Sequence, residues 1–93
     1  MLLKLPAVLT HHQALDWARS LKLALRAAAS DMTPVIADAS ALTQFDSSAL
    51  AVLLDCRREA LATGRTFWVQ GLPPRLRQLA GLYGIAPLIP SPV

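Results

Sequence analysis

Glycine is scarce in this chain, at four of 93 residues, and none occurs before Gly64. That rules out a Gly-rich phosphate-binding loop and a Gly-x-Ser-x-Gly nucleophile elbow, both of which need glycine where the backbone turns tightly. Cysteine is scarcer still. The lone Cys56 excludes an internal disulfide, and its place inside an apolar run reads as a small core hydrophobe rather than a reactive thiol. The histidines, His11 and His12, are adjacent and have no third ligand nearby, so no metal and no cofactor is expected. Aromatics make up 5% and charged residues 16%, against 54% hydrophobic residues. Such a chain is not intrinsically disordered, and its core must be built mainly from alanine and leucine. No apolar run approaches the roughly 20 residues of a membrane helix. Lys4 and Pro6 interrupt the opening MLLKLPAVLT, which therefore lacks the apolar core of a signal peptide. A cytoplasmic protein without direct membrane insertion is the expectation.

What is present alternates between strand-like and helix-like patterns. The length suits a single domain spanning residues 1–93. LLKLPAVLT has strand formers at Leu3, Leu5 and Val8, and Pro6, which lacks a donor, suggests an edge strand or a bulge. HHQALDWARSLKLALRAAAS places Ala14, Trp17, Ala18, Leu21, Ala24 and Leu25 on one helical stripe. Asp31 ends that helix in a polar turn, and Pro34 restarts an extended segment. PVIADAS reads as a buried strand, ALTQF as a bridge, and Ser47 to about Ala62 as a second helix closed by Gly64. TFWVQG is a further strand. In LPPRLRQLAGLYG, Pro73 or Pro74 opens a third helix, with Leu76, Leu79, Ala80 and Leu82 inside and Gly84 at its end. Tyr83 is expected to pack there with its hydroxyl wet, and Trp17 and Trp68 to belong to the core. The tail IAPLIPSPV reads as a short strand or a packed extended end. Repeated strand–helix units predict an α/β layer fold, a small sheet covered by helices.

The net charge is +3. Arg57, Arg58, Arg65, Arg75 and Arg77 gather in the second half, but Asp55 and Glu59 are interleaved and no aromatic platform accompanies them. A solvated face or the rim of a contact with an acidic partner fits better than a nucleic-acid site.

The most unusual stretch is FDSSALAVLL, an acid and two hydroxyls at the mouth of an aliphatic helix. A serine nucleophile needs a base within reach and a group to orient it. With His11 and His12 as the only candidate bases, and no paired carboxylates, an enzyme is not expected. Capping by Asp46, Ser47 or Ser48 accounts for one or two of the three residues. A hydroxyl in the first turn, beside an acid, also suits a contact with another protein, and a phosphate added there would change the local charge sharply.

LTQFDSSALAVLL and GRTFWVQGLPPRLRQLAGLYGI together resemble the STAS domain shared by sulfate transporters and anti-sigma-factor antagonists. The likeness runs from about Leu3 to Leu88. LTHHQA, Leu9 to Ala14, resembles the opening of the first helix in antagonists, with Thr10 where Asp is common. The resemblance implies a STAS-like mixed sheet covered by helices. The antagonist branch implies that Ser47 is phosphorylated by a partner kinase. The branch formed by the cytosolic STAS subunit of the Mla phospholipid transporter is closer, because Leu79, Ala80, Leu82 and Tyr83 match its third helix. It implies an accessory subunit of an ABC transporter that maintains lipid asymmetry, peripheral to the inner membrane, binding and stabilising the ATPase through Asp46, Ser47, Ser48 and Ala49. Leu50 and Val52 would widen that contact, and Thr10, His11 and His12 would add to it. Two features depart from the family. Ala49 stands where antagonists carry glycine, and the family's first strand has no sequence to form it. The second leaves an edge for a partner or a second copy to cover, so a homodimer is a further expectation.

Overall fold

The computed structural model describes residues 1–91; the final two positions of the expected tail, 92 and 93, lie outside the described residues. Its elements are β1 (Leu2–Lys4), β2 (Val8–Leu9), α1 (Ala14–Ala27), β3 (Val35–Asp38), β4 (Gln44–Phe45), α2 (Ser48–Ala62), β5 (Phe67–Gln70) and α3 (Pro74–Leu82), followed by a 3-10 turn at Ala86–Leu88. The α/β layer fold expected from the sequence is the one observed.

The run LLKLPAVLT forms two strands where one was expected, and each joins a different sheet. β1 pairs in parallel with β3, and β3 with β5, giving the order β1-β3-β5. β2 pairs in parallel with β4, so ALTQF is partly a strand rather than only a bridge. The break falls at Pro6, which has no N–H to give to a ladder. Parallel neighbours need a crossover, and helices supply it.

Register decides which side chains enter the core. Leu3, Ala37 and Val69 are aligned across the three strands and buried, with Val35 and Phe67 beside them. On the opposite face Leu2, Ile36 and Trp68 form a half-open apolar row. Trp68 is thus only half-buried, as is Trp17 on α1.

Helices α1 and α2 close the inner face. The α1 stripe is as expected, with Ala18, Leu21 and Leu25 buried. In α2 the buried set is wide, comprising Ala49, Leu50, Val52, Leu53, Cys56 and Ala60. This helix packs against α1 on one side and the sheet on the other, so most of its circumference is apolar. Cys56 is fully buried in the core, and that burial pushes its thiol up to about 12.

Glycine ends two of the helices as expected. Gly64 (φ 77°) and Gly84 (φ 71°) adopt the left-handed conformation. In each case the next residue donates back into the helix, Arg65 to Ala60 and Ile85 to Ala80, which satisfies terminal carbonyls. Helix α1 has no such glycine. Backbone amides meet the Ala24 and Arg26 carbonyls there, and Arg65 adds to them, its guanidinium donating to the Leu25 carbonyl at 2.9 Å and the Ala28 carbonyl at 3.3 Å. Arg65 is 2% exposed, so it leaves the solvated basic face to which the sequence assigned it. The tail is packed: Ile89 is buried, and the Pro90 carbonyl accepts from the Val69 amide on the outer side of β5.

Candidate functional site

The site is assembled by the smaller sheet. Parallel pairing of Val8 with Gln44 and Leu9 with Phe45 brings both chains out at the same end. The residues that follow, Thr10–His12 and Asp46–Ser47, therefore emerge side by side, each leading into a helix. The loops outside the carboxyl ends of parallel strands are a common place for function in α/β folds.

Asp46 joins the two openings. One carboxylate oxygen accepts the Ser48 amide at 2.8 Å, at the start of α2. The other accepts the His11 amide and lies 3.0 Å from His11 Nδ1. A carboxylate can only accept, so the imidazole donates from Nδ1. These hydrogen bonds, from the His11 ring first and then from the His11 and Ser48 amides, hold the Asp46 carboxyl well below the usual carboxylate range. Asp46 is thus the cap of α2, and the carboxylate fills the positive end of that helix.

Ser47 occupies the position where a capping side chain normally bonds, but its hydroxyl makes no capping bond. It is exposed, whereas Ser48 is half-buried. The hydroxyl that the sequence singled out is therefore accessible and uncommitted, on backbone fixed by its neighbour. Ala49 is fully buried, Leu50 is 2% exposed and Val52 is 1% exposed. All three belong to the core, not to a contact surface. The period of the helix turns Ala51 outward in their place, together with half-exposed Leu54.

Thr10, His11 and His12 stand beside Ser47's end of α2. Gln13 closes their turn by accepting from the Thr10 amide at 3.0 Å and its hydroxyl at 2.8 Å, one half of a capping box. The His11 and His12 rings are exposed, with centroids 4.0 Å apart. Pairing of His11 with Asp46 was not foreseen, because no local pattern links positions so far apart. Chemically, Asp46 orients an imidazole, yet among the described residues no hydroxyl is hydrogen-bonded to that ring. Nor do three or more His, Cys, Asp or Glu side chains converge as metal ligands among the described residues. No helix among them is long and apolar enough to cross a membrane.

On α3 the expected inner face divides. Leu76 and Ala80 are buried and Leu79 is half-buried, but Leu82 is 78% exposed and Tyr83 56% exposed. Leu82 lies about 120° around the helix from Leu76, because each residue advances about 100°.

Comparison with known proteins bears on residues 5–90, which match the family model described as "Mlab, STAS domain". No curated protein matches the chain.

Proposed function

The chain belongs to the STAS domain family, in the group described as Mlab, and on that premise we propose that it is a non-enzymatic accessory subunit of an Mla-type phospholipid ABC transporter. It binds and stabilises the cytosolic ATPase subunit, and thereby sits at the inner membrane without entering it. The observation that supports this is the state of Ser47: exposed, free of any capping bond, and set between Asp46 and Ser48, which a carboxylate–amide hydrogen bond ties together. A rigid, accessible hydroxyl needs no reorganisation to meet a partner, which lowers the entropic cost of docking. Thr10, His11, His12 and Ala51 extend the contact on the same end. An interface of about 800 Å² per partner would be ordinary for a stable complex.

Replacing Ser47 by arginine tests the placement. The side chain projects into solvent, so thermal unfolding should be unchanged, while affinity for the ATPase subunit should fall by roughly tenfold or more, about 1.4 kcal/mol. Wild-type affinity in Ser47→Arg would remove Ser47 from the interface.

The same accessibility supports a second reading, an anti-sigma-factor antagonist regulated by phosphorylation at Ser47. Incubation with a cognate serine kinase would then add one phosphate that Ser47→Ala cannot receive. An unchanged mass after that incubation would reject it.

A further inference from the structure

Helix α3 carries a second exposed face, and it lies next to the Ser47 end. Arg75, Gln78, Leu79 and Leu82 follow one another at helical spacing. With Phe45, which directly precedes Asp46 in the chain, they line a groove of about 400 Å³. Its floor is apolar: Phe45 and Leu79 pack partly on the core, and Leu82 stands exposed at its rim. Its charged wall is Arg75. Among the described residues, the ion pairs join His11 to Asp46, Arg26 to Glu59 and Arg58 to Asp55, so Arg75 has no carboxylate of its own. The groove between α1 and α2 differs, because two of its cations, Arg26 and Arg58, are already matched by Glu59 and Asp55 within it.

An apolar trough beside an unmatched cation recognises a large apolar side chain flanked by a carboxylate. We propose that this Phe45–α3 groove is the second half of the docking surface, receiving from the ATPase subunit a segment with one aliphatic or aromatic side chain and a neighbouring Asp or Glu that pairs with Arg75. The inference rests on the reading that the chain docks on an ATPase. It adds what that reading leaves open: the contact spans two elements, and the partner's share of it is apolar and acidic.

The test is a binding titration of the full chain with the cognate ATPase subunit, using five variants. Leu82→Asp and Arg75→Glu change exposed side chains and should leave the melting temperature unchanged while each weakens binding roughly tenfold or more. Arg75→Lys should bind within a few-fold of wild type, because it keeps the charge. Leu23→Asp, at an exposed leucine on α1 that lies beside Arg19 and Lys22, cations likewise without an ion pair among the described residues but in a different groove, should bind as wild type does. If Ser47→Arg weakens binding but Leu82→Asp and Arg75→Glu do not, the groove is overturned and the docking reading stands. If Leu23→Asp weakens binding as much as Leu82→Asp, the groove has no special part and the inference fails. If the wild-type chain does not bind the ATPase subunit, the docking reading fails and takes the groove with it.

Discussion

A single side chain, Asp46, is shared by two helices, and its behaviour with pH follows from that. Replacing it with alanine removes the cap of α2 and the link to His11, and should cost about 1 kcal/mol at neutral pH, typical of a lost cap. The charged form is the one that accepts these bonds, so the folded carboxyl has a lower pKa than the unfolded one. Its contribution is therefore complete above the unfolded value, about 4, and is lost as the pH falls from there through the folded value. Urea unfolding of wild type and Asp46→Ala should differ most near neutrality and converge in acid. A difference that persists undiminished well below the unfolded value would show that the carboxylate's charge is not the cause. The acid and hydroxyls at this helix mouth were legible in the sequence because capping is a local pattern. The His11 contact was not, since it depends on the register of β2 against β4.

Secondary-structure elements began and ended where local chemistry said they should, and they differed where packing intervened. Gly64 and Gly84 close their helices as their positions imply, and Pro74 opens α3. Gly71 is a different case. It has φ +68°, and a Cβ there would come 2.8 Å from Ser40 Cβ and 3.0 Å from the Ser40 backbone nitrogen. The turn from β5 into α3 thus needs glycine both for its left-handed backbone and for the approach of the loop after β3. Gly71→Ala should destabilise the fold by about 1–3 kcal/mol, the cost of a strained residue held in an unfavoured region. A denaturation midpoint equal to wild type would refute the close approach. The α3 pattern shows the opposite limit of local reasoning. Leu76, Leu79, Ala80 and Leu82 look like one stripe, but a short helix at the margin buries only the arc that meets the core, which leaves Leu82 outside.

For the molecule as a whole, the lack of glycine before Gly64 has a consequence that spans the chain. The end of α1 has no left-handed residue to turn its carbonyls inward, and Arg65, far along the sequence, meets the Leu25 carbonyl and shares the Ala28 carbonyl with the Asp31 amide. Its Nε also donates to the Thr63 hydroxyl at 2.9 Å, so the same side chain ties the end of α2 to the end of α1. Arg65→Met keeps the volume and removes the donors, leaving the Leu25 carbonyl without this partner while the Ala28 carbonyl keeps the Asp31 amide. The expected loss is on the order of 3 kcal/mol, read as a lower urea midpoint at constant slope. Amide exchange in the last turn of α1 should accelerate with it. An unchanged midpoint would mean that water replaces the guanidinium at no cost. The apolar surplus is also visible at this level, since Leu2, Leu15, Leu23, Leu61 and Leu82 remain exposed.

Composition, period and punctuation in the sequence determined the class of fold, the order of the three helices and of the strands β3 and β5 between them, the glycine stops and the candidate Ser47 hydroxyl. These are readable because each depends on residues within a few positions of one another. Tertiary structure alone decided that Pro6 separates two sheets, that Ala49, Leu50 and Val52 face inward, that Arg65 is internal, and that Asp46 meets His11. Each of those depends on strand register or on which arc of a helix meets its neighbour, and neither is set until distant segments pack together.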